Sequence, residues 1–393
     1  MAILAYIVGD HPLRLWGLSS RERLARQLRA VGIHDIVDDI GLAASAEQVL
    51  LVHAGYLFEQ RTVSALRRQH EALLECPMDG GLAGAVCGGA RAAEFAAAMS
   101  DPQAPRPAAA VLRPAELEQF DRALRRVEPP LLEPMGAERR QALESLLYGN
   151  AYKGITDLVT KFVWPRPART VVGWCASLGI TPNMVTLTGL ALVIAAGWLF
   201  AVGAWLPGLV CGWIMTLLDT VDGKLARVTV QSSRLGHWLD HGMDIIHPPI
   251  WYVLWAEGLG DAITPATHSL MVWLIVGGYL AGRGLEALFH ALGDCSLFAW
   301  RPFDAYFRLV TARRNPCLII MSIALACGRA DWALYGVAWW TAGSSALMAL
   351  RLLYAGSERL RRGPLQSWLN DPAAAMNHAR AYRTFAGTRG AYG

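Results

Sequence analysis

Four aspartates carry the clearest chemical signal in this 393-residue chain. Asp219 and Asp222 stand three residues apart in Leu218-Asp219-Thr220-Val221-Asp222-Gly223-Lys224-Leu225-Ala226-Arg227, and Asp240 and Asp244 stand four apart in Gly236-His237-Trp238-Leu239-Asp240-His241-Gly242-Met243-Asp244. On helices, each spacing puts its two carboxylates on one face, so two adjacent helices present four acids to one another. Neighbouring carboxylates repel, and even one Asp at the centre of a spanning helix costs about 2.5–3.5 kcal/mol. Two hard divalent cations, Mg2+ or Mn2+, offset a formal charge of about −4 and prefer carboxylate oxygen. A metal pair roughly 3.5–4 Å apart suits phosphoryl chemistry, because it clamps both the attacking and the leaving oxygen. Gly223, Ala226 and Gly236 remove bulk beside the acids, so a flat ligand or a backbone can come close. Arg227 adds a fork suited to phosphate or to one of the acids. A salt-bridged polar core with Lys224, Arg227 and Arg234 leaves the glycines and the spacing unexplained. An aspartate proton relay in a transporter has no need of two spaced pairs flanking a Gly/Ala-Arg loop.

The elements that position these residues follow from composition. The chain is 54% hydrophobic and 17% charged, against roughly 25% charged in soluble proteins, so part of it belongs in lipid. A net charge of +4 without a separate Lys/Arg block gives no nucleic-acid footprint. Seven scattered cysteines with no CxxC pair argue against a disulfide framework or a zinc site. Residues 1–145 read as an α/β domain: short apolar runs (Ile3–Val8, Val49–Val52, Leu73–Leu74) alternate with the amphipathic stretches Ser20–Val31 and Thr62–Leu74, the βαβ rhythm of a doubly wound sheet. The first run lacks the basic flank of a signal peptide, so this domain is expected in the cytosol. Residues 146–180, with Lys153, Lys161, Trp164, Arg166 and Arg169, suit an amphipathic helix and linker at the membrane surface.

Residues 181–355 begin with the cap Thr181-Pro182-Asn183 and contain six apolar segments, near 183–202, 205–222, 236–256, 267–291, 315–328 and 331–354. Basic residues cluster after the second segment (Lys224, Arg227, Arg234), after the fourth (Arg301, Arg308, Arg313, Arg314) and in the 356–393 tail (Arg359, Arg361, Arg362). The opposite turns carry only Arg329. That asymmetry predicts an all-α, six-helix membrane domain with both chain ends inside. Trp198, Trp205, Trp213, Trp238 and Trp255 suit interface anchors. His237, His241 and His247 suit packing rather than metal ligation.

The pattern D-x-x-D-G-x-x-A-R-x8-G-x-x-x-D-x-x-x-D from Asp219 to Asp244 resembles the signature of the CDP-alcohol phosphotransferase family, and the similarity extends over about 150–355. The resemblance implies that Asp219, Asp222 and Asp240 hold two Mg2+ or Mn2+ ions, with Asp244 as a further ligand or as the base. It implies a nucleotide site of Asn183, Thr186, Asp219, Gly223, Ala226, Arg227 and Gly236. It implies attack by an alcohol on a CDP-alcohol donor, CDP-diacylglycerol or a CDP-polar alcohol, with release of CMP. It further implies a homodimer in the bilayer, with the active site open to the cytosol; a bacterial inner membrane is the expected location. Arg283, which with Glu286 and His290 forms an i, i+3, i+7 row, and the pair Arg313-Arg314 are candidate acceptor-phosphate ligands.

The N-terminal region is similar to sugar-phosphate nucleotidyltransferases, through Pro12-Leu13-Arg14-Leu15-Trp16-Gly17-Leu18, a helix and Gly32-Ile33. Where that fold uses a Gly-rich phosphate loop the chain has Val8-Gly9-Asp10-His11-Pro12, and where it uses a metal-binding Asp the chain has His53-Ala54-Gly55. One glycine does not supply the run of N–H groups that cradles a triphosphate, so the domain reads as degenerate. The alternatives are a bifunctional enzyme that makes its own CDP-polar alcohol and a non-catalytic transporter or scaffold. Phospholipid or inositol-type phosphodiester synthesis is the expected setting.

Overall fold

The computed structural model describes residues 3–231, 234–293, 295–371, 373 and 376–386, without the side chains of 234, 235 and 237–241. The N-terminal part is a three-layer α/β unit. Its strands are β1 (Ile3–Val8), β2 (Arg14–Leu15), β3 (Leu18–Ser19), β4 (Ile36–Val37), β5 (Gln48–His53), β6 (Tyr56–Phe58), β7 (Ala72–Glu75), β8 (Leu82–Cys87), β9 (Ala110–Leu112), β10 (Phe120–Asp121), β11 (Arg126–Val127) and β12 (Leu132–Pro134). Six of them form one sheet in the order β4-β1-β5-β8-β7-β9. Alternation along β5 sends Leu50 and Val52 to one face, under α1 (Ser20–Ala30) and α2 (Gln60–Arg67), and Val49 and Leu51 to the other, under α3 (Ala92–Ser100). Ser19 and Glu22 close a capping box at the start of α1.

Two expectations are corrected here. The sheet is mixed rather than wholly parallel: β1 runs parallel to β4 and β5, but β8 is antiparallel to both β5 and β7. The link from Glu75 to Leu82 is too short for a crossover, and Asp79 accepts from the Gly81 N–H at 3.0 Å within that turn. The stretch Thr62–Leu74 is not one amphipathic element, since α2 ends at Arg67 and β7 begins at Ala72.

After α4 (Arg140–Asn150), a π-helical turn at Val159–Val163 leads into α5 (Pro165–Ser177). Lys161 does not sit on a lipid-facing surface as expected. It is buried and donates to the Gly154 carbonyl at 2.8 Å, and burial pushes its ammonium down to about 8. The helices α6 (Pro182–Ala201), α7 (Trp205–Val228), α8 (Arg234–Leu259), α9 (Pro265–Leu292), α11 (Arg314–Ala326) and α12 (Ala330–Arg362) overlie the six apolar segments, with α10 (Pro302–Val310) before α11. Among the described residues, α6 and α9 are long and apolar enough to cross a membrane, and α10 with α11, bent by 44°, passes as one broken span. Trp198 is exposed on α6 as an anchor would be, but Trp255 is only 1% exposed and donates to the Ala330 carbonyl at 2.9 Å. An indole N–H that finds a carbonyl lets the whole ring be buried. Trp238, His237 and His241 lie outside the described side chains.

The two parts share a continuous core in which Leu15, Trp16 and Tyr148 pack with Val221, Leu225 and Val228 of α7. Arg23 of α1, 3% exposed, donates to the Val228 carbonyl at 2.7 Å and the Leu15 carbonyl at 2.9 Å, while Arg26 donates to the Thr229 carbonyl at 2.7 Å. Cations thus cap the negative end of α7. Replacing Arg23 with Met leaves two carbonyls unpaired, and the expected loss is about 2–4 kcal/mol. Thermal unfolding of the detergent-solubilised chain checks it.

Candidate active site

A cavity of about 270 Å³ lies where α7, α8, α9 and the start of α11 meet segment 153–160. Asp219 of α7 and Asp244 of α8 face each other across it, and Arg314 bridges them: Nη2 donates to Asp219 Oδ2 at 2.6 Å and Nη1 to Asp244 Oδ1 at 2.7 Å. The arginine paired with these two acids is thus Arg314, and not Arg227 as the sequence suggested. In a low-dielectric wall the acids repel, and the guanidinium at the head of α11 offsets that repulsion. Asp222 turns to α6, where the Thr186 hydroxyl lies 2.8 Å from its Oδ2. The side chain of Asp240 lies outside those described. Among the described residues, no three His, Cys, Asp or Glu side chains form a group that could hold a metal ion.

A pair of prolines shapes the far wall. Pro248 and Pro249 stand inside α8. Pro248 has no N–H for the carbonyl four residues back, which is that of Asp244. The Tyr279 hydroxyl donates to that freed carbonyl at 3.2 Å and Arg283 Nη2 at 3.3 Å. A sequence kink thus becomes the tether that draws Arg283 to the acid. Arg313, beside Arg314, pairs with Glu286.

Along α7, Lys224 places its ammonium 3.5 Å from the Tyr152 ring centroid, and Arg227 Nε donates to the Ala151 carbonyl at 2.9 Å. A Cβ at Gly223 would stand 3.1 Å from Arg227 Nη2, so the glycine leaves room for that guanidinium. Asp219, Asp244, Arg227, Arg283, Arg313 and Arg314 share the cavity wall. Asn183 lines a separate cleft with Arg26 and Gln231. Thr186, Gly223, Ala226 and Gly236 are not on the central wall. His247 is buried against Trp251, with Nδ1 2.5 Å from the Met243 carbonyl.

Sequence reasoning missed several lining residues. Asp157 accepts from Asn315 Nδ2 at 2.9 Å, joining segment 153–160 to α11. Arg308 and Lys153 also line the cavity, and so does Arg125, from the hairpin of β10 and β11 in the α/β unit. Burial, with Arg308 nearby, pushes the Arg125 guanidinium down to about 10. Lys153 is held below its ordinary value by burial, with Arg227 and Arg125 adding repulsion. Among the described residues, eight Lys and Arg side chains line the cavity against four Asp and Glu. The pattern Pro248-Pro249 was a readable signal for the freed carbonyl; Arg125 had none.

Residues 179–293 match the CDP-alcohol phosphatidyltransferase family. The chain is 29% identical to an archaetidylinositol phosphate synthase of Aeropyrum pernix over 143 residues, 36% of this chain and 69% of the relative. It is 36% identical to a phosphatidylinositol phosphate synthase of Mycobacterium marinum over 114 residues, 27% of this chain and 48% of the relative. With cholinephosphotransferase 1 of Danio rerio the identity is 30% over 125 residues, 29% of this chain and 31% of the relative. The chain thus spans two thirds of the first, about half of the second and under a third of the third.

The Asp244 tether gives a double-mutant test. Tyr279→Phe removes one donor and is expected to cost about 1 kcal/mol. In a Pro248→Ala background, where the helix N–H returns, the same change is expected to cost less than about half as much. Chemical unfolding in detergent measures both.

Proposed function

We propose that the chain is an integral-membrane phosphotransferase that moves a phosphoalcohol group from a CDP-alcohol to an acceptor hydroxyl in phospholipid synthesis. The observation that carries this reading is the cavity in which Asp219 and Asp244 converge on one cation amid surplus positive charge. Hard carboxylate oxygens drawn to a single cation fit a divalent metal site. Asp219, Asp222, Asp240 and Asp244 would hold two Mg2+ or Mn2+ ions. Bound there, the ions would neutralise the diphosphate and stabilise CMP as it leaves.

The chain's own groups do the rest. Arg227, with Gly223 beside it, takes the nucleotide; Asn183, Thr186, Ala226 and Gly236, which stand off the central wall, join that site on the family resemblance. Asp244 accepts the hydroxyl proton as the acceptor oxygen bonds to phosphorus, and the bond to CMP breaks with its electron pair on CMP. Arg283, Arg313 and Arg314 hold a phosphate on the acceptor. The excess of eight basic over four acidic lining residues favours a phosphorylated polyol over a neutral diacylglycerol. The inositol phosphate synthases among the relatives support the same choice. The donor is then CDP-diacylglycerol or a close analogue.

The membrane reading extends this to six spans, α6–α9, α11 and α12, in a bacterial inner membrane. The α/β unit, the active site and the tail lie on the cytosolic side, and the chain acts as a homodimer. In this reading residues 1–145 and 146–180 are the nucleotidyltransferase-like domain and its linker, 181–355 the phosphotransferase domain and 356–393 the tail.

Two experiments test it. Full-length protein in liposomes with Mg2+ is expected to release CMP from CDP-diacylglycerol and inositol phosphate, and not from CDP-choline with diacylglycerol. Asp244→Asn should lower kcat by about 10²–10⁴, and chelation should abolish turnover. Wild-type rates in both Asp219→Asn and Asp244→Asn would sink the assignment. Cys327 is the exposed cysteine, at the turn between α11 and α12 on the side opposite the α/β unit in this topology. A membrane-impermeant maleimide is expected to label it in intact cells, with the signal lost in Cys327→Ser. Labelling only after permeabilisation overturns the orientation.

A further inference from the structure

Arg125 belongs to the α/β unit, yet it lines the central cavity of the helical part. It closes the four-residue loop of the β10–β11 hairpin, in which Asp121 pairs with Arg126. Its φ of 52° is a left-handed conformation that L-residues rarely adopt. Such a backbone persists when its surroundings hold it, and here they do. The next residue, Arg126, is fully buried and reaches Glu59 at 3.0 Å and the Asn150 carboxamide oxygen at 2.8 Å. The Gly154 N–H donates to the Leu124 carbonyl at 2.7 Å, and a Cβ on Gly154 would collide with the Arg125 carbonyl oxygen. One residue of the pair thus anchors the hairpin, and its neighbour is delivered into the cavity.

Among the described residues the delivered guanidinium has no partner. Arg125 makes no hydrogen bond or ion pair with any described residue, and Nη1 of the adjacent Arg308 is buried without one. Arg313 has Glu286, and Arg283 has Tyr279 and the Asp244 carbonyl. Arg125 is half-buried, and Arg308 lies over the Phe298 ring at 5.5 Å; two such neighbouring guanidiniums repel each other and suit an anion bearing several oxygens. Arg125 also lines an adjoining chamber of about 660 Å³ together with Arg283, Arg122 and His290. Asp219 and Arg227 line the central cavity and not that chamber, so Arg125 stands where the two spaces adjoin.

We propose that Arg125 is a substrate-binding residue contributed by the α/β unit, which grips the phosphate of a soluble phosphorylated acceptor and so completes the site within the membrane domain. The inference rests on the phosphotransferase reading for the word acceptor, but its test needs no turnover. Inorganic phosphate is titrated calorimetrically into the full-length protein with CMP saturating, for wild type, Arg125→Gln and Arg125→Lys. The expected result is at least a tenfold weaker phosphate affinity in Arg125→Gln, a smaller loss in Arg125→Lys, and unchanged CMP binding in both. Equal phosphate affinity in wild type and Arg125→Gln overturns the proposal. If Arg125→Gln loses CMP as well, Arg125→Lys decides: retained binding of both ligands supports the proposal, and loss of both makes the role purely structural and refutes it. Competition by glycerol 3-phosphate supports a soluble acceptor. Competition only by phosphatidic acid in nanodiscs refutes one. Wild type that binds phosphate through Arg125 but releases no CMP would defeat the phosphotransferase reading and leave this one standing.

Discussion

The triad Asp219–Arg314–Asp244 is the interaction on which the rest of the helical part turns. Neighbouring carboxylates repel, so bringing α7 and α8 together at these two acids calls for a cation between them. Arg314 supplies it from α11, making three helices interdependent through one guanidinium. In the proposed reading, a divalent cation would compete with Arg314 for the same carboxylate oxygens.

A second buried pair in the same molecule makes the contrast. Asp304 of α10 is fully buried and accepts two hydrogen bonds from Arg351 of α12, at 2.6 and 2.8 Å. Charge and geometry are closed there, one acid to one fork, and the pair fastens α10 to the last helix. In the cavity the balance stays open: among the described residues eight basic side chains face four acidic ones, and Arg125 makes no hydrogen bond or ion pair. Burying charge without compensation is among the costliest things a fold can do. A fold that does so on one side of a cavity, and satisfies itself elsewhere, is arranged for a ligand that carries the missing charge.

How much of this was readable beforehand depended on the range of the interaction. The aspartate spacing, the caps and the apolar segments are local, and helices stand over each segment. The short turn before β8 was local too, yet the βαβ rhythm hid it, because hydrophobic runs carry no sign of direction. Trp255 failed for a different reason: whether an indole anchors at an interface or enters the core depends on a carbonyl 75 residues away. Arg314 was legible as a cation and not as a bridge. Arg125 lay in a stretch with no pattern at all, since its importance comes from a hairpin meeting a cavity formed by residues far along the chain.

That last case bears on what the α/β unit is for. At the carboxyl ends of its parallel strands β1 and β5, where such sheets bind ligands, the side chains engage one another. The His53 ring nitrogen accepts from the Gly55 N–H at 2.9 Å, and the Tyr56 hydroxyl bonds Asp79 at 3.1 Å. Two groups of the unit reach the helical part instead: Arg23 on the end of α7, and Arg125 on its anchored hairpin. Both act on the membrane part: one fixes the helix that carries Asp219 and Asp222, the other faces the cavity across from them. A domain tethered only by a flexible linker gains nothing from a shared core with its neighbour, whereas one that must hold a charge in register with a helix needs such a core. The continuous packing of Trp16 and Tyr148 against Val221 and Leu225 meets that need. On this physical ground the α/β unit forms part of the wall of the cavity.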